Sequence, residues 1–350
     1  MIQNSAARYS VLAIIACLVG INLLEAQNVN VVQKSGTLVR GEITDMSPDS
    51  LTVKTSSGPV TIETANLRSV SFPQPPAEFA RASSRFDAQR FDEGLEELAK
   101  IKDKPAGAAL EHELAWMVAS GTADSALTGG KVTPNDAGNV VQAFMQKYPT
   151  SFYTWQITER LGKLYSTIGR NDLAQTEYTK LANSSSEDFR IIGTFYIGLA
   201  KLAANDGTGA GESFAAVATS SASGPEAEEF RSRARALQAR ALLLNGKIDD
   251  AKAAVAKLIE NENPDNSALF SEAYNTLGAC HFQEGDFKAA ALAFLHTDLL
   301  FFNQPEAHAE ALWYLSQIWP RLDKQDDGWE AQETLKRLYK NSPWTARLGQ

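Results

Sequence analysis

The fold is decided by residues 273–294, which read AYNTLGACHFQEGDFKAAALAF. Apolar side chains recur at helical spacing on both sides of Gly285, a residue type that commonly ends helices. The small residues Gly278 and Ala290 allow two helices to approach closely, while the larger Tyr274 and Phe294 fill the stripe between them. The stretch therefore predicts two helices joined by a tight turn.

The same register recurs along most of the chain, with further copies at residues 161–181, 198–217 and 239–258. The pattern resembles the tetratricopeptide repeat, whose signature combines Leu-Gly, aromatic and small residues with a closing proline. Its spacing here is longer than the family's basic unit of about 34 residues. One small residue marks the second helix of each unit, and successive markers are 36 to 43 residues apart: Gly94, Ala137, Ala174, Ala210, Ala251, Ala290 and Ala331.

The resemblance covers residues 77–345 and implies a mainly α fold, a right-handed α-solenoid of about seven helix-turn-helix repeats. One pair of helices buries too little apolar surface to offset the entropy of ordering it, so neighbouring units must cover both flanks. The first unit lacks Leu-Gly, and in the last unit Pro320 is expected to break the first helix. Such irregular ends are typical of capping repeats.

Residues 28–72 differ in composition from the rest of the chain, because Ala65 is their single alanine and β-branched residues are abundant. Short apolar runs alternate with turn-forming segments at residues 35–36, 45–49 and 56–59, which predicts about five strands. Residues 36–43 resemble part of the small SH3-like or Lsm-like barrels. We therefore expect a small all-β domain before the helices.

Lsm-like barrels often bind RNA, but the four basic residues of this segment are balanced by four acidic ones, and the whole chain carries a net charge of −9. Nucleic acid is therefore not an expected partner. Residues 73–76 contain three prolines, which predicts a stiff linker between the β domain at residues 28–72 and the helices at residues 77–345.

Residues 1–26 have the features of a signal peptide. Arg8 precedes an uncharged apolar stretch at residues 9–24, which is short for a membrane-spanning helix and ends near a small-residue processing site. An uncleaved membrane anchor is one alternative. Residues 14–17 also resemble a degenerate lipobox, in which Cys17 would be acylated. In each case we expect export, to the periplasm or envelope of a bacterium.

The chain contains no recognisable catalytic motif. Its four histidines fall in different predicted repeats without metal-ligand spacing, and Cys280 has no second exported cysteine with which to form a disulfide. Residues 205–211 are glycine-rich like a phosphate loop, but they lack the Lys-Ser/Thr pair, so a turn between helices is favoured. We predict no enzyme activity, cofactor, metal or small-molecule substrate; an unrecognised hydrolase is the alternative.

In the tetratricopeptide repeat family, peptides often lie along the concave face formed by the first helices. Arg233 and Arg240 share one helical face, which would suit a clamp for an acidic segment or a C-terminal carboxylate. The alternative is a solvated face neutralised by Glu226 and Glu229. Residues 120–136 look like an insertion, either a partner-contacting loop or a disordered one. By register, the expected protein-binding residues are Gln156, Glu159, Lys163, Arg233, Arg240, Glu272, Asn275, Trp313 and Gln317.

These features predict a non-enzymatic protein-protein interaction scaffold of the cell envelope, which binds a partner protein or peptide on the solenoid surface. Rigid stacked helices lose little entropy on binding, so modest contacts spread along a groove give useful affinity. The alternative is a membrane-anchored envelope-assembly lipoprotein with an acylated Cys17.

Overall fold

A computed structural model describes residues 28–101 and 107–348. Over these residues a five-stranded antiparallel sheet is followed by helices in paired repeats, which confirms the predicted mainly α fold class. The chain divides into two compact units, one that extends to Ile168 and one that begins at Gly169. The predicted signal peptide, residues 1–26 with Cys17, lies outside the described residues. Within the described residues, no helix is long and apolar enough to cross a membrane.

The first unit begins with the sheet, whose strands pair in the order β4-β3-β2-β1-β5. Alternate side chains point into the core, so that Val31, Leu51 and Val53 are fully buried. A short 3-10 helix, Thr64–Asn66, connects the last two strands. The five predicted strands are present as β1 Asn28–Gln33, β2 Leu38–Met46, β3 Ser50–Thr55, β4 Gly58–Glu63 and β5 Leu67–Ser71.

Strand β2 approaches β3 so closely at Gly41 that no side chain fits there. A Cβ atom on Gly41 would lie 2.1 Å from the carbonyl oxygen of Lys54. Just beyond, the pairing of β2 with β3 shifts register between Ile43 and Asp45, an irregularity that bends a strand. Glycine is therefore required in the segment that resembles a small barrel.

In the described part of the first unit, five helices follow the sheet and share one hydrophobic core with it. The ring of Phe72, which follows β5, meets that of Phe79 edge-on at 5.9 Å. Trp155 Nε1 donates a hydrogen bond of 3.0 Å to Asp49 in the turn between β2 and β3. Sheet and helices are thus joined by packing as well as by residues 73–76. The helices are α1 Ala77–Asp87, α2 Phe91–Leu98, α3 Ala108–Leu127, α4 Pro134–Lys147 and α5 Thr154–Thr167.

The expectation of an inserted loop at residues 120–136 is wrong. Residues 120–127 are the mostly buried last turns of α3, and only a short connection precedes α4 at Pro134. A Cβ atom on Gly121 would lie 2.6 Å from the ring of Phe86 in α1. The small residues of this segment therefore serve close helix packing rather than flexibility.

The described part of the second unit is entirely helical. Its four complete hairpins begin with α7, α9, α11 and α13. In each hairpin, the second helix packs against the first. The predicted break at Pro320 comes at the end of a helix, because α13 stops one residue later. The helices are α6 Asn171–Ala182, α7 Glu187–Ala203, α8 Gly207–Ala218, α9 Pro225–Leu244, α10 Ile248–Asn261, α11 Ser267–Glu284, α12 Phe287–Leu300, α13 Pro305–Arg321, α14 Gln325–Leu338 and α15 Pro343–Ala346.

The close helix contacts that the sequence predicts are present in the second unit. Cβ atoms on Gly198 and Gly278 would each lie 2.7 Å from a phenylalanine ring of the following helix, Phe214 and Phe294 respectively. Both rings are fully buried. Gly285 ends α11 with a φ angle of 81°, in the left-handed region that favours glycine. The second-helix marker residues are buried in every repeat: Gly94, Ala137, Ala174, Ala210, Ala251, Ala290 and Ala331.

We expect Gly278→Ala to lower the free energy of unfolding by about 1 to 3 kcal/mol, because the added methyl group overpacks a buried ring. Gly211→Ala is a matched control, since Gly211 is also helical and its Cβ would make an ordinary 3.5 Å contact with Ala241. The control should be neutral or slightly stabilising, because alanine favours the helix over glycine. Denaturant unfolding measures both, and equal losses of stability in the two variants would contradict the packing described.

Candidate protein-binding site

The nine predicted site residues are distributed over both units. Gln156, Glu159 and Lys163 lie on α5 of the first unit, where Lys163 Nζ and Glu159 Oε1 form an ion pair of 2.7 Å. The other six residues lie on helices α9, α11 and α13 of the second unit, which pack side by side as one layer. The structure therefore brings six of the nine residues onto a common helical layer.

Arg233 on α9 binds carboxylates on the next two first helices. Its Nε and Nη2 atoms donate hydrogen bonds of 3.0 and 2.9 Å to Oε1 of Glu272, and Nη2 also donates one of 2.5 Å to Glu306. The guanidinium group also lies 4.8 Å from the ring centroid of Phe195 on α7. One arginine thus connects four successive first helices.

Arg240 makes a second link, two turns further along α9. It donates hydrogen bonds of 2.6 Å to Glu310 and 3.3 Å to the hydroxyl of Tyr314, both on α13. Between them, the Nδ2 atom of Asn275 on α11 donates bonds to the carbonyl oxygen of Ala307 and to Glu310, of 2.8 and 3.2 Å. The predicted site residues Arg240 and Asn275 are therefore internal contacts between helices.

Both guanidinium groups are engaged within the protein. Burial alone would lower the pKa of Arg233, but the carboxylates of Glu306 and Glu272 outweigh that effect and raise this pKa above its ordinary value. The carboxylates found on the arginines belong to later hairpins, whereas the sequence suggested Glu226 and Glu229 of the same helix. A ligand carboxylate at Arg233 would have to compete with these internal partners.

Arg233→Met should destabilise the second unit by about 3 to 5 kcal/mol, because it leaves the carboxylate of Glu272 buried without its cation. The side chain of Glu272 is only 7% exposed, whereas that of Glu306 is 55% exposed and stays hydrated. The double variant Arg233→Met, Glu272→Met should recover most of the loss, since no unpaired buried charge remains. Thermal unfolding of the single and double variants measures the coupling, and additive losses would show that the pair is not coupled.

The two remaining predicted residues lie towards the end of α13. The indole of Trp313 packs edge-on against Tyr314 at 4.9 Å, and at a tilt of 44° against Trp344 of α15 at 5.5 Å. The side chain of Gln317 donates a hydrogen bond of 3.2 Å to Ser316 Oγ. Trp313 therefore packs the last short helix onto the final hairpin.

A cavity of about 500 Å³ opens on the same layer, beyond the arginine links. Its walls come from the C-terminal halves of α9 and α11 and from α13, and most of the lining side chains are apolar. Arg240 contributes the guanidinium that Glu310 already neutralises. A partly exposed apolar cavity with few polar groups is suited to accept an apolar side chain. The lining residues are Arg240, Leu243, Leu244, Ala279, Phe282, Gln283 and Tyr314.

Arg321, the last residue of α13, lies beside this cavity. Its guanidinium carbon is 5.5 Å from the ring centroid of Phe282, a wall residue, and 5.4 Å from that of Phe287. It donates a hydrogen bond to the carbonyl oxygen of Gln317. Across the part of the chain that the structure describes, no carboxylate forms an ion pair with this exposed arginine.

Sequence reasoning missed the cavity and Arg321. One available signal was the run Leu242–Leu243–Leu244, because three successive leucines place apolar side chains around more of a helix than one packing stripe requires. In the structure Leu243 is buried, but Leu244 remains 37% exposed. Arg321 and Phe282 belong to different repeats, and no local sequence pattern indicates that they are in contact.

The first unit contains a buried polar cluster under aromatic rings. His112 Nε2 lies 2.8 Å from Ser151 Oγ, and burial lowers the pKa of this histidine to about 4. The hydroxyl of Tyr153 donates to both carboxylate oxygens of Glu113, yet burial outweighs that bond and raises the pKa of Glu113 to about 8. These contacts attach α3 to residues 151–153. Within the described residues, no group of three or more potential ligands is arranged to hold a metal ion.

The raised pKa of Glu113 makes stability depend on pH. Its ordinary value is 4.5, so the folded state holds the proton more tightly than the unfolded state does. The resulting stabilisation is complete below about pH 4.5 and is lost as the pH rises through about 8. Glu113→Gln should remove this part of the pH dependence, whereas Glu96→Gln, at an exposed site, should retain it. Melting temperatures across this range test the expectation, and parallel curves for wild type and Glu113→Gln would contradict it.

No protein-family model matches the chain, and no curated protein matches it. Solved structures do match. The apo form of the quorum sensor NprR from B. thuringiensis is 11% identical, with a TM-score of 0.51 over 75% of each chain. Rap protein complexed with Competence and Sporulation Factor is 15% identical, with a TM-score of 0.48 over 76% of each chain.

A tetratricopeptide repeat protein from Parabacteroides merdae also matches, at 14% identity and a TM-score of 0.41, over 67% of this chain and 96% of that one. At such low identities the likeness extends to the fold alone. The paired helices and their buried marker residues agree with the helical repeat fold that the sequence resembles. The ligand has to be inferred from this chain's own residues.

Proposed function

We propose that this protein is a non-enzymatic scaffold that holds a segment of a partner protein against helices α9, α11 and α13. The observation that carries the proposal is the mainly apolar cavity on this layer, which lies beside the internal ion pairs of Arg233 with Glu272 and of Arg240 with Glu310. An apolar side chain that enters the cavity leaves water without displacing an internal ion pair. Recognition therefore centres on one apolar anchor residue.

The helices around the cavity are held in fixed register before any ligand binds. Arg233 and Arg240 each connect α9 to α13, and Asn275 on α11 binds the same helix. A preorganised surface loses little conformational entropy on association, so a limited contact area gives useful affinity. This favours binding of an extended segment by a rigid surface over folding of the protein around its partner.

The test compares Leu244→Asp, in the cavity, with Leu292→Asp, on the exposed face of α12. Leu292 is 63% exposed, and four exposed apolar residues on or just after α12 form the other candidate surface for a partner: Leu292, Leu299, Leu300 and Phe302. Partners are captured from an extract of the source cells, and their dissociation constants are measured for each variant.

We expect Leu244→Asp to weaken binding by about tenfold or more, because a carboxylate on the cavity wall replaces apolar surface and would be desolvated when an apolar anchor residue enters. Leu292→Asp should bind as wild type does. The opposite result would place the partner on the face of α12, and equal binding by both variants and wild type would exclude both surfaces. Either outcome would overturn the proposal.

We further propose that the protein acts after export, in the envelope of a bacterium. The support is the sequence of residues 1–26, in which a basic residue is followed by a short apolar stretch. Cleavage at the end of this segment and acylation of Cys17 give mature chains of different mass. Intact-mass measurement of the protein from the envelope fraction therefore distinguishes a free scaffold from a lipoprotein, and a full-length cytoplasmic protein would contradict export.

A further inference from the structure

We propose that the partner segment carries a carboxylate next to its apolar anchor residue, and that Arg321 binds this carboxylate. The inference rests on the proposed function, because it assigns the chemistry of a ligand for the same cavity. It also moves the anionic contact away from Arg233 and Arg240, where the sequence placed it.

Two charged side chains near the cavity have ion-pair partners, whereas Arg321 has no such partner among the described residues. Arg240 on the cavity wall is paired with Glu310 at 2.6 Å. Glu284, which follows the lining residue Gln283, is paired with Lys252 at 2.9 Å. Arg321 carries a full charge beside the wall residue Phe282, and no described carboxylate neutralises it. The edge of the cavity at the end of α13 is therefore the place where a ligand anion gains a new ion pair.

The contacts of Arg321 also fix how it can bind. Its guanidinium group lies over the rings of Phe282 and Phe287, an arrangement in which the aromatic faces attract the cation and orient its plane. One N–H donates to the carbonyl oxygen of Gln317, and a guanidinium group has five donors. The remaining donors match the two oxygens of a carboxylate, which arginine binds in a bidentate manner.

The position of Phe282 links this anion site to the apolar anchor. The same ring forms a wall of the cavity and supports the guanidinium group. An apolar side chain in the cavity would thus lie across one aromatic ring from Arg321. The guanidinium carbon is 5.5 Å from the centroid of this ring. In an extended segment, which advances about 3.3 Å per residue, we therefore expect the carboxylate one or two residues from the anchor residue. The shared chemistry is a carboxylate, which an acidic side chain or the end of a chain can supply.

The experiment uses phage-displayed random peptides of twelve residues, selected on the full-length protein and counter-selected on Leu244→Asp. We expect selected peptides to place Asp or Glu within two residues of a large apolar residue. A selected peptide is then synthesised with its carboxylate residue intact or changed to the amide, and each form is measured with a free or an amidated C-terminus. Fluorescence anisotropy gives the dissociation constants for wild type, Arg321→Gln and Arg321→Lys.

Neutralising either the peptide carboxylate or Arg321 should weaken binding about fivefold to tenfold, and the two changes together should cost no more than one alone. Arg321→Lys should restore part of the affinity, which a loss of folding would not allow, and melting temperatures confirm that each variant is folded. Sensitivity to C-terminal amidation would identify the chain end as the carboxylate, whereas sensitivity to the side-chain amide alone would identify an acidic residue.

The experiment distinguishes failure of the proposed ion pair from failure of the proposed function. Peptides that require Leu244 but bind equally well to wild type and Arg321→Gln would overturn the ion pair and leave the apolar cavity as the binding site. If every peptide selected on wild type also binds Leu244→Asp, so that the counter-selection leaves none, the proposed function itself is overturned.

Discussion

Hairpins of the second unit depend on close contact between a small residue on one helix and a larger residue on the other. Gly198 faces Phe214, and Gly278 faces Phe294. At the corresponding positions of the hairpin between them, the sequence has Ala239 and Val255, both fully buried in one cluster. A larger side chain on one helix is thus compensated by a smaller one on its partner, as volume-conserving packing requires.

The ion pairs on the layer of α9, α11 and α13 connect residues of different repeats rather than residues of one helix. Arg233 and Glu272 are 39 residues apart, close to one repeat, while Arg240 and Glu310 are 70 apart, close to two. A sliding error of one helical turn would separate these groups and leave buried charges without partners. The links therefore specify the register of α9, α11 and α13, a role that buried ion pairs have in some other proteins. The walls of the cavity come from these same three helices.

Local pattern was sufficient to predict most elements of the fold. The strand runs, the turn at Gly285 and the seven marker residues depend on side-chain size and periodicity within about twenty residues, and these properties are read directly from sequence. The helix at residues 120–127 does not follow from local pattern, because Gly121 disfavours a helix locally and its purpose is to accommodate Phe86 from a distant helix. Composition also gave no indication that the sheet and the first helices share a core, since Phe72 and Phe79 lie on opposite sides of a proline-rich segment.

The site was only partly predictable, for a related physical reason. Helical register correctly placed Arg233, Arg240 and Asn275 on the first-helix layer, but it gave no information on what lies one or two repeats away. The distance of 39 residues between Arg233 and Glu272 was visible in the sequence, and it would have indicated an internal pair once compared with the repeat length. Arg321 offers no such pattern, because its contacts to Phe282 and Phe287 follow from the end of α13 in three dimensions.

The paired charges also determine where a partner can bind. Replacing buried ion pairs by apolar residues often leaves stability unchanged or improves it, so stability alone does not account for the pairs on this layer. An apolar layer would present a continuous adhesive surface along several helices, which promotes non-specific association. With Arg233, Glu272, Arg240 and Glu310 in place, ion pairs interrupt the apolar surface of this layer, and the cavity beside Leu244 and Phe282 is an apolar part of it that remains accessible. On the function proposed above, the same ion pairs that link these helices would therefore direct the partner's apolar anchor residue to the cavity.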